Sequence, residues 1–189
     1  MDTTPLQYEH HRQRWDGCRR CPLGCVATNH VLGRGDMPAD VLYIGTAPGR
    51  AEDKTGQPFI GFVGRMLNAI HRDAFPDGWS RHYTNLLACR PTEDGETSTP
   101  NRSELDACRP RTTDLIRIIQ PRCVVFVSAL AETELVESLG GIPSVLIPPP
   151  GRMVNGRNAS PEYRDAVDRI NGMFNSIDGV TFTPHEGKS

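Results

Sequence analysis

Four short apolar runs alternate with amphipathic stretches along this chain. VLYIG (41–45), HYTNLLA (82–88), CVVFVSA (123–129) and SVLIPPPG (144–151) read as strands, with the near-continuous apolar character of a parallel sheet buried on both faces. Between them, VGRMLNAIHRDAF places Val63, Met66, Leu67 and Ile70 at helical spacing. ELDACRPRTTDLIRIIQ (104–120) is amphipathic and helical, with Pro110 expected to bend or interrupt it. LAETELVESLG is a helix stopped by glycine, and PEYRDAVDRINGMF is a helix with Pro161 near its start. Residues 1–30 read as a polar helix leading into a cysteine-bearing loop. The order β-α-β-α-β-α-β-α predicts a three-layer α/β/α fold around a central, mostly parallel four-stranded sheet. Residues 1–180 are expected to form one domain, followed by a polar tail over 181–189. Such sheets bind ligands beyond the carboxyl ends of their strands. The loops beginning at Gly45, Asn85, Ser128 and Pro148 therefore share one rim, and Ser128 and Gly151 count among its candidate base- or DNA-facing residues.

Charge narrows the picture only a little. A formal net charge of −2 over 189 residues excludes a generally basic nucleic-acid coat but leaves room for a local basic groove. No run of about 18 apolar residues occurs, and the first twenty residues are polar and charged, so neither a membrane helix nor a signal peptide is expected. A cytoplasmic protein acting as a monomer is the expectation. In that compartment six cysteines suggest metal binding or burial rather than a disulfide framework.

Cys18 and Cys21 form a C-x2-C pair followed by Pro22, while Cys89 and Cys108 stand far along the chain. Two ligands on a tight turn plus two from remote loops suit a tetrahedral zinc site or a four-iron cluster. Burial alone is the competing account of Cys89 and Cys108. Cys25 is a spare near the pair, and Cys123, opening the core strand, is expected to pack as a small hydrophobe.

The loop GTAPGRAEDKTGQPFIGFVG (45–64) contains five glycines and two prolines. It matches neither the phosphate-binding P-loop nor the dinucleotide fingerprint. Its glycines let backbone approach a ligand, while Pro48 and Pro58 constrain its path. Phe59 suits either base stacking or the core. Asn85, at a strand end, suits either a turn cap or recognition of a ring through paired donor and acceptor.

Together CRRCPLG, VLYIGTAPGRAEDKTGQPFIGFVGRML, YTNLLACRP and the later Cys108 resemble the family 4 uracil-DNA glycosylases, the iron–sulfur members of their superfamily. The resemblance runs from about Cys18 to Phe174. It implies that Cys18, Cys21, Cys89 and Cys108 hold a [4Fe–4S] cluster. It also implies that Phe59 stacks on a base flipped out of DNA, and that Asn85 hydrogen-bonds the Watson–Crick edge. The backbone of Ala47, Pro48 and Gly49 would border sugar and base. The implied reaction is hydrolysis of an N-glycosidic bond.

Two positions depart from the family pattern. Where that loop usually carries a water-organising glutamate, this chain has Thr46. Where the family carries a histidine-proline motif that stabilises the departing base, LIPPPGRMVNGR has no histidine, and Pro149 takes its place. The six histidines elsewhere, His82 and His71 among them, are expected to be solvent-facing or structural. Candidate substitutes are Glu52 or Asp53 for the water and Arg152 for the leaving base. Three readings follow: a glycosylase acting on uracil, one acting on a modified base, and a degenerate member that binds DNA or a base without cleaving.

Overall fold

The computed structural model describes residues 4–93, 95–153 and 160–177. In chain order its elements are α1 (Thr4–Trp15), α2 (Leu23–Val26), β1 (Arg34–Gly35), β2 (Val41–Gly45), α3 (Arg50–Thr55), α4 (Phe62–Ala74), β3 (Arg81–Asn85), β4 (Thr92–Glu93), β5 (Glu96–Thr97), α5 (Arg102–Ile119), β6 (Cys123–Phe126), α6 (Ala129–Leu135), β7 (Ser144–Leu146) and α7 (Pro161–Ile177).

The sheet order is β1-β3-β2-β6-β7. β2 is the central strand, parallel to β3 on one side and to β6 on the other, with β7 parallel to β6. The four parallel strands are the predicted ones. The sheet nevertheless has a fifth strand, because β1 pairs antiparallel with β3 through Arg34↔Tyr83 and Gly35↔His82. Two residues have no periodicity to detect, and only the approach of β3 creates this edge. A second small pairing, β4 with β5, lies in the stretch read from sequence as loop.

Alternation along the strands builds the three layers. Val41, Tyr43, Cys123 and Val125 face one core with Leu67 and Ile70 of α4 and Ile170 and Phe174 of α7. Leu42, Ile44, Val124 and Phe126 face the other with Ile116 of α5 and Ala131 of α6. Cys123 is thus a packing residue, as expected.

Helix α5 continues through Pro110, so of the two outcomes expected there, a bend or an interruption, the interruption does not occur. An interior proline costs about 3 kcal/mol. Burying Leu105, Leu115, Ile116 and Ile119 returns about 1.5–3 kcal/mol each, so packing wins. Pro110 and Asp106, whose carbonyl loses its ladder donor, both lie on the exposed face. The helix starts two residues earlier than predicted, at an Asn101–Glu104 capping box: Glu104 N–H donates to Asn101 Oδ1 at 3.1 Å and Asn101 N–H to Glu104 Oε2 at 2.9 Å.

Strand β3 ends at Asn85 rather than running to residue 88. Leu86 and Leu87 still donate to the carbonyls of Gly45 and Thr46, at 2.8 and 2.9 Å, so the two strand ends leave the sheet together. That places Thr46 and Asn85 side by side on the rim.

Candidate base-recognition site and cysteine cavity

The candidate site forms where backbone is bare. A side chain at Gly45 would meet Asn85 Oδ1 at 2.5 Å and Phe59 Cζ at 2.7 Å. Glycine at the end of β2 therefore lets the amide of Asn85 and the edge of Phe59 converge on one spot. Asn85 is 1% exposed, and its Nδ2 is buried with no hydrogen-bond partner. Buried donors are almost always satisfied, so this unpaired amide nitrogen beside an aromatic ring is a candidate contact for a ligand acceptor.

Phe59 sits at φ 55°, in the left-handed region where non-glycine residues are uncommon. Three features hold it there. Its N–H donates to Glu52 Oε1 at 2.5 Å, and its carbonyl accepts from Arg34 Nη2 at 3.0 Å. A side chain at Gly64 would meet the Phe59 carbonyl oxygen at 1.6 Å, so α4 reaches this turn only without one. Arg34 also donates through Nε to the Pro58 carbonyl at 2.6 Å and lies over the ring of Tyr83, with its Cζ 4.7 Å from the ring centroid. The ring of Phe59 contributes to the core, 6.0 Å from that of Tyr83, which is one of the two roles weighed for it.

The loop carboxylates are engaged elsewhere. Glu52 accepts from Gly49 N–H at 2.8 Å as well as from Phe59, bridging the start of α3 to the aromatic turn. Asp53 accepts from the Thr28 and Asn29 amides at 3.1 and 3.5 Å. Both acids thus fasten the loop. Thr46 Oγ1 lies 2.5 Å from Ser128 Oγ, a hydroxyl pair spanning the ends of β2 and β6. Ala47 is half-buried, Pro48 buried, and Gly49 exposed at the start of α3. Gly151 is exposed in a short 3-10 turn, Pro150–Arg152, whereas the Arg152 side chain lies outside the described residues.

Cys18, Cys21, Cys89 and Cys108 line one cavity together with Trp15, His30 and Arg111. Burial pushes the Cys89 thiol up to about 12, and the neighbouring Cys108, Cys21 and Cys18 push it in the same direction. Burial also raises Cys21, against lowering by the Gly24 and Leu23 amides. Gly24 is required here because a side chain would meet the Cys18 carbonyl oxygen at 2.0 Å. Among the described residues no three His, Cys, Asp or Glu side chains converge closely enough for a single metal ion. Four sulfurs spread around a cavity suit a cluster whose irons each take one thiolate better than a lone tetrahedral ion. Cys25 is exposed and does not line this cavity.

Sequence reasoning missed Arg34, Gly64 and the role of Arg111. Arg34 and Arg111 act on backbone carbonyls far away in sequence, which no local pattern announces. His11, His71 and His82 are buried, so they belong to the structural half of the expectation. His71 accepts from Tyr43 O–H through Nδ1 at 3.1 Å and donates to the Trp79 carbonyl through Nε2 at 2.9 Å.

Asn85 and Phe59 converging on Gly45 at the carboxyl ends of parallel strands, and a four-cysteine cavity that Arg111 links to Asn85, are the setting in which the comparisons fall. The family model of the uracil DNA glycosylase superfamily matches residues 32–175. A type-4 uracil-DNA glycosylase of Pyrobaculum aerophilum is 35% identical over 143 residues, covering 75% of this chain and 71% of that protein. One from Thermotoga maritima is 34% identical over 119 residues, 63% of this chain and 60% of its own. One from Archaeoglobus fulgidus is 32% identical over 114 residues, 60% and 56%. The chain belongs to the uracil-DNA glycosylase superfamily.

Proposed function

We propose that this protein is a DNA glycosylase that hydrolyses the N-glycosidic bond of uracil flipped out of DNA. The observation that carries this reading is the buried, unpartnered Nδ2 of Asn85 packed with Phe59 against Gly45. An amide offering one donor and one acceptor complements O4 and N3–H of uracil; in the same orientation it mismatches cytosine. Phe59 supplies a face for the ring, held in place before the base arrives by Glu52, Arg34 and Gly64.

The geometry supports a dissociative course. As the bond lengthens, positive charge builds on the sugar and negative charge on the base, where the Asn85 donor sits. The Thr46–Ser128 pair uses one of its two hydroxyl hydrogens internally, leaving one donor and free lone pairs. It can orient a water toward the sugar, but neither hydroxyl is a base of useful strength at neutral pH. The captured water loses its proton to solvent after attack. Lacking both the glutamate and the histidine of the family pattern, the enzyme is expected to be slow, each acid–base contribution being typically about 10²–10⁴-fold. Glu52 and Asp53 act by holding the loop, and Ala47, Pro48, Gly49, Ser128 and Gly151 border the opening.

Cys18, Cys21, Cys89 and Cys108 would hold a [4Fe–4S] cluster. Its contribution is structural, tying the amino-terminal segment to the 89–108 loop beside the pocket. The protein acts as a monomer on DNA; among the described residues no helix is long and apolar enough to cross a membrane.

The test is incubation of the cluster-loaded protein with oligonucleotides carrying uracil or modified bases, followed by alkaline strand cleavage. Cleavage at uracil, lost in Asn85→Ala, is the expected result. The placement of Thr46 where the family has an acid favours one competing reading, binding without cleavage. Uracil-dependent binding with no abasic sites across the panel would establish that reading instead, and release of a modified base alone would redirect the substrate.

A further inference from the structure

Arg111, on α5, is wholly buried, yet among the described residues no ion pair includes it. Its partners are uncharged. Nη1 donates to the Leu32 carbonyl at 3.1 Å and to Thr84 Oγ1 at 3.2 Å. Nη2 donates to the carbonyls of Asn85 and of Leu86, the latter at 3.3 Å, and to Thr112 Oγ1 at 2.9 Å. Nε is buried with no partner at all. A guanidinium does not deprotonate in proteins, and a buried, unpaired charge costs several kcal/mol. Carbonyl dipoles offset part of this cost. The missing component is an anion.

The cavity that Arg111 lines points to which one. Cys18, Cys21, Cys89 and Cys108 share it, and the cluster they would hold is net negative once four thiolates are counted. The other ionisable groups around Arg111 supply no negative charge. His11 and His82 are buried neighbours kept neutral, and Tyr8 is a neutral phenol. Glu104 faces the helix start, where its carboxylate accepts from Asn101 N–H. Arg111 therefore stands between two sites: one end of it beside the cysteines, the other gripping the carbonyl of the base-reading residue.

We propose that Arg111 is the counter-charge of the iron–sulfur cluster and the strut that passes cluster occupancy to Asn85. This rests on the [4Fe–4S] reading of the four cysteines. Arg111 is a positioning residue and touches no reacting atom. Its charge favours the more negative, reduced cluster and resists loss of iron. Its fork sets the height of the Asn85 carbonyl, and with it the amide that meets the base.

The experiment compares anaerobically reconstituted wild type, R111K, R111M and R111Q by iron and sulfide content, midpoint potential and bleaching rate under a chelator. Binding to uracil-containing and thymine-containing DNA is measured alongside. R111K keeps the charge and is expected to keep a potential close to wild type, while losing uracil preference because lysine cannot span both carbonyls. R111M is expected to load a cluster with a more negative potential and to bleach about tenfold faster, the scale of outer-shell substitutions. R111Q retains donors for the Asn85 and Leu86 carbonyls without charge, so it separates loss of charge from loss of folding, and the same shift is expected. A wild type that takes up zinc and no iron overturns the cluster reading and this proposal together. A loaded wild type whose potential and bleaching rate are matched by both neutral variants overturns the role of Arg111 alone.

Discussion

The hydroxyls of Thr46 and Ser128 lie 2.5 Å apart, joining the carboxyl ends of β2 and β6. Thr46 stands where the family pattern this loop resembles has a glutamate. A hydroxyl pair orients a water and cannot take its proton, so the chemistry depends on how far the sugar–base bond has broken before water arrives.

Replacing that pair tests the idea directly. Single-turnover excision of uracil is expected to fall about tenfold or more in Thr46→Ala and in Ser128→Ala, with the double variant no worse than the slower single, because the two act as one unit. Thr46→Glu is expected to raise the rate, by up to about 10²–10⁴-fold if the carboxylate reaches the water. Additive losses in the double variant would show the hydroxyls act separately.

On the proposed reading Asn85 carries recognition rather than rate alone. Asn85→Ala is expected to weaken uracil-specific DNA binding by about 1–3 kcal/mol, the scale of leaving a partner unsatisfied, with thymine-containing DNA bound as before. Asn85→Asp replaces the unpartnered amide donor by an acceptor and should lose as much. Fluorescence titration with uracil and thymine duplexes reads both.

The Phe59 turn depends on Glu52 as a fastener. Glu52→Ala removes the acceptor for two amides and releases a strained backbone, for an expected loss of about 1–3 kcal/mol in stability. Urea denaturation measures it, and KM is expected to rise more than kcat falls. If Glu52 were the base instead, kcat would drop by orders of magnitude with stability intact. Gly64→Ala, forced against the Phe59 carbonyl, should displace the same turn.

Acid should unfold this protein through its buried histidines. Burial, aided by the Arg111 charge, holds both His11 and His82 down to about 4 in the fold. In the unfolded chain each titrates near its ordinary value of about 6.5. Below that value the unfolded state takes up protons that the native state refuses, so unfolding becomes easier. The stability these residues contribute is whole above about pH 6.5 and is lost as pH falls toward 4, at up to about 1.4 kcal/mol per unit for each. Urea midpoints across pH 4–7 test this, with His82→Gln expected to flatten the slope.

Several features are written locally. The strand cores Val41–Gly45 and Cys123–Phe126, the helix over Phe62–Ala74 and the parallel order follow from periodicity, because apolar residues have few places to go other than a core. The C-x2-C turn and the glycine-rich loop marked out candidate segments, since glycine and proline occur where backbone shape matters. Other features exist only once distant segments meet. Whether Glu52 would handle water or fasten a turn depended on where Gly49 and Phe59 came to rest. The pairing of Thr46 with Ser128 spans 82 positions, and Arg111 reaches Asn85 across 26. Hydrogen bonds and buried charges of this kind are decided by three-dimensional proximity, which carries no signature in the spacing of residues along the chain. The frame of the candidate site is thus readable from sequence, while the partners of its polar groups are assigned by packing.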